Sequence, residues 1–276
     1  MKSAENQVEN GSDIVKVNPI KKWLYRIAPA FGIALLLAVW ITASGRNVRI
    51  FPTPWIVLQR MWELLFQPVS GATLLGHLGI SMLRVFIALG FAIVIGVPFG
   101  VLIGWSPRFR ATLGAIFECI RPIPVLAWIP LIVMWFGIGE KAKIIMIFIG
   151  FFMPIVVNSY TGIKMVSPLY IDVGKMFNAS SQKQLLTKIV LPAALPTIFA
   201  GIRNATSVAW MVVLAAEMLA AKSGLGFLIC RGMEVFDISL VMAGMVSVGL
   251  AGVFLAFITN FVERKVCPWN RGLISE

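Results

Sequence analysis

Charge is scarce in this chain. Asp, Glu, Lys and Arg make up only 13% of its 276 residues, whereas apolar residues reach 59% and the mean hydropathy is +0.89. Soluble domains hold about 25% charged residues. A soluble core of this size cannot hide so much apolar side chain, so the surplus must face lipid. Disordered and collagen-like classes are excluded on the same numbers. Cysteine is also sparse: Cys119, Cys230 and Cys267 stand too far apart in sequence for a disulfide framework or a metal cluster. With His77 as the single histidine, no Ser–His–acid triad or His–Cys metal set can be assembled. An enzyme is therefore not expected, and a lone histidine in a polar segment reads as structural. A G-x4-G-K-[ST] motif is missing as well, so no phosphate-cradling loop is available and the chain cannot hydrolyse ATP itself. Gly224-Leu225-Gly226 follows an apolar span rather than a strand and lacks the lysine such a loop needs.

What is present is a polytopic membrane pattern of the all-α class. A membrane helix needs about 20 mostly apolar residues. Stretches free of charge run Ile27–Gly45, Val85–Pro107, Pro122–Gly139, Ile144–Ile163 and Ile238–Val262, and Asn204–Ala221 is broken only by Glu217. Six spans are expected. Leu64–Leu83 is also charge-free, but Gln67, Pro68, Ser70, Gly71, Gly76 and His77 mark it as a polar loop leading into span two. Before it, Ile50–Leu65 reads as a short amphipathic interfacial helix. Residues 1–20 are polar and read as a flexible cytoplasmic tail, leaving 21–276 as the transmembrane domain.

The net charge of +12 does not imply nucleic acid, because basic residues interleaved with aromatics are absent. Excess Lys and Arg belongs on cytoplasmic loops of helical membrane proteins. With six crossings and an inside N-terminus, 15 basic residues fall on inside segments and 8 on outside ones. Both termini are expected in the cytoplasm.

Charged residues in or near spans are costly in lipid and point to function or pairing. They are Arg84, Glu118, Arg121, Arg203 and Glu217. The three arginines fall near predicted span ends, and Glu118 and Arg121 are spaced to pair on one helix face. Glu217, deep in span five, is either a paired carboxylate near the outer interface or part of the pathway or its gate. Gly96, Gly100 and Gly104 recur every fourth residue in span two and mark a close helix contact, within the chain or with a second copy.

The segment between spans four and five, 164–192, is longer than a hairpin turn needs. Ser167 is placed to cap a helix with Pro168 in its first turn, and Leu169, Val173, Met176 and Phe177 form one stripe. Asn178–Ser180 interrupts the run. Ser181 with Gln184 then forms a capping box that opens a second helix carrying Leu185, Leu186 and Ile189, and Pro192 is expected to end it. Two short cytoplasmic helices with a break between them suit either the membrane surface or a groove on a soluble partner.

The run FNASSQKQLLTKIVLPAALPTIFAGIR resembles the cytoplasmic "EAA" loop of ABC-importer permeases, whose pattern is E-A-A-x3-G-x9-I-x-L-P. Together with RPIPVLAWIPLIVMWFGIGEKAKI, AAEMLAAKSGLGFLI and VERKVCPWNRG, it is similar to the nitrate/sulfonate/taurine/bicarbonate branch of that family. The likeness runs from His77 to Arg271, with a core of about 77–265. Ile189, Leu191 and Pro192 match the pattern. The family glycine falls at Ala179 and the glutamate at Val173, with Asp172 the nearest acid, one residue out of register. The resemblance implies a permease subunit in the cell inner membrane, present as a homodimer. It also implies two copies of a separate ATPase that binds the ATP and an external substrate-binding protein. The coupling residues it suggests are Asp172, Gly174, Lys175, Phe177, Asn178, Ala179, Ser180, Ile189, Leu191 and Pro192. The substrate it implies is a small oxyanion or organosulfonate: nitrate, taurine, an alkanesulfonate or bicarbonate. The alternative is a self-sufficient secondary transporter or channel, which calls for ionisable residues near several span centres and leaves the structured loop unexplained.

Overall fold

A computed structural model describes residues 19–45, 51–177, 181–220 and 222–269. Its elements among these residues are helices joined by short links, and it divides into two compact units, Met1–Val57 and Leu58–Glu276. In the first unit, helix α1 (Pro19–Ser44) contains the apolar stretch Ala30–Ser44, and the Trp40 indole N–H donates to the Pro52 carbonyl at 3.0 Å. Helix α2 (Pro54–Phe66) is the expected amphipathic segment, and most of it belongs to the second unit.

The polar loop expected before span two is much shorter than the sequence suggested. Helix α3 (Leu74–Trp105) starts at Thr73, whose hydroxyl accepts from the Gly76 N–H and caps the first turn. The link before it is a tight reversal in which Val69 and Ala72 exchange backbone hydrogen bonds across Ser70 and Gly71, both at positive φ. Gly76 and His77, read as loop residues, are therefore helical.

Span three is not one helix. Helices α4 (Pro107–Phe109) and α5 (Ala115–Ile120) are joined by a π-helical turn, and a 3-10 turn, Val125–Trp128, leads into α6 (Ile129–Phe136). The halves Pro107–Ile120 and Val125–Phe136 bend by 88°. Pro122 and Pro124 account for the break, since neither can donate an intrahelical bond and each clashes with the preceding turn.

Helix α7 (Glu140–Lys164) is followed by α8 (Pro168–Met176). The second loop helix does not stop at Pro192. Helix α9 (Gln182–Leu185), a π-helical turn (Leu186–Val190) and α10 (Leu191–Ala220) form one continuous rod, apolar enough to span over Gln182–Leu219. In a regular α-helix the Pro192 ring would collide with the Lys188 carbonyl. The widened turn, in which the Leu191 N–H reaches back to Leu186, relieves that collision. Helices α11 (Leu225–Glu234) and α12 (Ile238–Val266) complete the second unit. Among the described residues, four helices are long and apolar enough to cross a membrane, or five if the bent pair counts as one span.

The core lies where α3 and α10 pack on either side of α7. Small residues bring the axes together. A Cβ at Gly100 would lie 2.6 Å from the Ser159 side chain and from the Val156 carbonyl, and one at Gly104 2.9 Å from Ile163. Gly96 faces Ile155 at 3.2 Å in the same seam, so this glycine row meets α7 of the same chain. On the opposite side of α7, Gly162 faces Thr197 and Ala194 of α10.

Candidate functional site

Two regions at opposite ends of α7 stand out. At the Glu140 end, helix geometry sets His77, Ser81 and Arg84 at i, i+4 and i+7 on one face of α3. All three are buried, and so is Glu217, near the end of α10 and 1% exposed. The Glu217 carboxylate accepts from the Ser81 hydroxyl at 2.7 and 2.9 Å, the Arg84 Nη1 at 2.6 Å and the Gly226 N–H at 2.9 Å. The remaining edge of the guanidinium, Nε and Nη2, forms a bidentate pair with Glu140 of α7, both bonds 2.7 Å long. Lys143 donates to the same Glu140 at 2.8 Å.

The connection from α10 to α11 is fastened to this cluster through its backbone. Arg84 Nη1 donates to the Ser223 carbonyl at 2.9 Å. The Leu225 N–H donates to the Ser81 oxygen at 2.9 Å, and the Gly224 N–H to His77 Nδ1 at 3.0 Å. That bond leaves His77 Nε2 to carry the proton and donate to the Val69 carbonyl at 3.0 Å. Gly224 has φ of +119°, and a Cβ there would run into the Glu217 carboxylate. The glycine at 224 is therefore required twice over, for its backbone angle and for space.

We call this arrangement the clasp. It joins α3, α7, α10 and the loop before α11 through two carboxylates and two cations of formally balanced charge. Within it Ser81, Arg84 and Glu217 satisfy one another in the interior, while the Glu140 carboxylate, 57% exposed on its side chain, closes the cluster from the surface. Arg84 and Glu217 were recognisable in the sequence as costly intramembrane charges. Ser81 was not, because the i, i+4, i+7 row is invisible while Leu64–Leu83 is read as a loop, and neither were Glu140 and Lys143, which fall between two charge-free stretches.

At the Lys164 end lies an elbow. Ser167 caps α8 by accepting from the Leu169 N–H at 3.3 Å, and Ser181 caps α9 by accepting from the Gln184 N–H at 3.1 Å. Gly174 is buried, and a Cβ there would overlap Ile189 and touch Leu185, so the glycine lets α8 press onto the rod. Asp172 and Lys175 pair at 3.1 Å, both exposed. The stripe of α8 faces outward: Leu169 is 67%, Met176 87% and Phe177 84% exposed. Leu191 and Pro192 are half-buried in the rod. Asn178, Ala179 and Ser180 lie outside the described residues. Glu118 and Arg121 form an exposed pair at 3.2 Å.

Residues 96–271 match the family described as binding-protein-dependent transport system inner membrane component. Taurine transport system permease protein TauC of Escherichia coli is 35% identical over 86% of this chain and 88% of its own length. Nitrate import permease protein NrtB of Synechocystis is 35% identical over 92% and 94%. A putative aliphatic sulfonates transport permease protein SsuC, of Bacillus subtilis, is 33% identical over 86% and 85%. A chain from inward-facing conformations of the MetNI methionine ABC transporter shares the fold, with a TM-score of 0.56, 21% identity, and coverage of 78% of this chain and 98% of that one. With the apolar helices, the paired glycine seam and this match over more than half its length, the chain belongs to the binding-protein-dependent transport system inner-membrane family and is a multi-pass ABC-transporter permease, not an enzyme.

Proposed function

We propose that this permease lines the translocation pathway of an importer for a small oxyanion or organosulfonate, and that the elbow couples it to a separate ATPase. The substrate class rests on the relatives named for taurine, aliphatic sulfonates and nitrate. The coupling rests on one observation above all. A capped helix holds Met176 and Phe177 almost fully exposed at its tip, while Gly174 fixes that helix to the base of a spanning rod. Burying two such side chains in a partner groove would stabilise association by about 1.5–3 kcal/mol each. The working assembly is two permease copies, two ATPase copies and an external binding protein. The Lys164 end faces the cytoplasm with both termini, as the basic residues suggest. ATP binding draws the ATPases together, pushes α8, and tilts the rod between inward- and outward-facing states, a rigid-body transition biased by ligand.

Glu217 belongs to the clasp in this reading and not to the pathway surface. The test of coupling is Phe177→Asp in the full assembly. The variant should insert and fold normally, because Phe177 packs on little within its own chain, but it should lose ATPase co-purification and substrate-stimulated ATP hydrolysis. Unchanged co-purification and uptake would refute the assignment. Uptake by the permease alone in vesicles would refute ATP coupling altogether.

A further inference from the structure

The exposed faces of the long helices are not alike. Between Leu83 and Leu102 every exposed residue of α3 is apolar, Phe91 and Val94 among them. The same holds on α12 from Met245 to Phe261, where Val253 and Phe257 are 70% and 68% exposed. These faces suit hydrocarbon. Helix α10 departs from the rule in mid-helix: Arg203, Asn204 and Ser207 are exposed together, with Met211 one turn further along. They fall within one face of a 3.6-residue helix.

Arg203 reads from the sequence as a residue at the base of a span. The rod runs from Gln182 to Leu219, so the helix continues past Arg203 toward the elbow as well as toward the clasp. Its side chain is 45% exposed. Only Nη1 is engaged, donating to Glu263 Oε2 of α12 at 3.1 Å and to Asn260 Oδ1 at 3.5 Å. Among the described residues, Nε and Nη2 have no partner, nor do the Asn204 amide and the Ser207 hydroxyl. An arginine, an amide and a hydroxyl facing hydrocarbon with open donors would be expensive. Facing a water-filled passage, they cost little.

We propose that Arg203, Asn204 and Ser207 form a transit site for the anionic group of the substrate on a pathway-facing side of α10. This deepens the reading of the chain as an oxyanion or organosulfonate importer and rests on it. The open Nε–Nη2 edge presents two parallel donors, the geometry that matches two oxygens of a nitrate, sulfonate or carboxylate. Asn204 and Ser207 add neutral donors beside it. Glu263, with its side chain only 9% exposed, holds the other edge and offsets part of the charge. The offset keeps the site weak, as a transit site must be if the ion is to leave again.

The test uses the assembled transporter in vesicles with Cys119, Cys230 and Cys267 replaced by serine and Ser207→Cys introduced. Its rates of modification by an anionic sulfonatoethyl and a cationic trimethylammonioethyl methanethiosulfonate are compared. Both reagents should react, and Arg203→Gln should lower the anionic-to-cationic rate ratio about tenfold, with Arg203→Lys restoring most of it. Glu263→Gln should raise the ratio. If Arg203 and Glu263 merely tie α10 to α12, the two glutamine variants will shift the ratio together or not at all, and the proposal fails. It fails also if Ser207→Cys is no more reactive than Phe257→Cys on the apolar face of α12. Because the readout needs no substrate, charge preference without taurine or nitrate uptake would leave the site standing and overturn the substrate class instead.

Discussion

The clasp and the elbow lie at the two ends of one rod and are built on opposite principles. At the clasp, Arg84, Lys143 and Glu217 are buried with a serine, a histidine and backbone N–H groups, Glu140 closes the cluster from the surface, and Glu217 is 1% exposed. At the elbow, the polar pair Asp172–Lys175 is exposed, and so are the apolar tips Met176 and Phe177. One end is finished within the chain. The other presents apolar surface that a partner would complete. The coupling we propose needs both, since a lever must be held at one point and accessible at another.

The contrast can be broken most severely at Arg84. Arg84→Ala leaves Glu217 and Glu140 without their shared cation, and removing one partner of a buried pair costs about 3–5 kcal/mol. Thermal unfolding of the purified assembly should show a large loss, with early proteolysis between Ala220 and Leu225. A smaller break is Glu217→Gln, which a merely capped carboxylate would tolerate. Here the carboxylate accepts from Ser81, Arg84 and Gly226 at once, so an amide must turn its own N–H₂ toward a donor. We expect a loss of about 1–3 kcal/mol in the same measurement, and wild-type stability would show that the clasp is looser than drawn. At the elbow, Lys175→Ala should change unfolding by less than about 0.5 kcal/mol, because exposed i, i+3 pairs contribute little. A comparable loss at both ends would erase the distinction.

The elbow was largely legible in the sequence, because caps and stripes are local: Ser167, Pro168, Ser181 and Gln184 announce themselves within four residues of where they act. The small-residue row Gly96–Gly100–Gly104 was legible for the same reason, although only the structure shows that it meets α7 of its own chain. The clasp was half legible. Arg84 and Glu217 stand out as charges in apolar surroundings, but their pairing spans 133 residues, and Glu140 and Lys143 look like ordinary loop charges. Two failures share one cause. Proline and glycine were read as ending or excluding helix, which failed at Pro192, where a π turn absorbs the ring, and at Gly76, where Thr73 had already capped α3. Whether proline stops a helix depends on how the turn before it can widen, and composition does not report that.

The balanced charge of the clasp has an electrical consequence. Arg84 and Lys143 carry two positive charges, Glu140 and Glu217 two negative ones, and the hydrogen bonds bind them into one body. A membrane potential does work of about 2.3 kcal/mol per elementary charge per 100 mV, but on a neutral body the contributions cancel. Carried through the field as one body without turning, the clasp therefore costs no net electrical work. In the coupling we propose, this cluster would let the membrane potential change without net electrical work on the clasp as it moves.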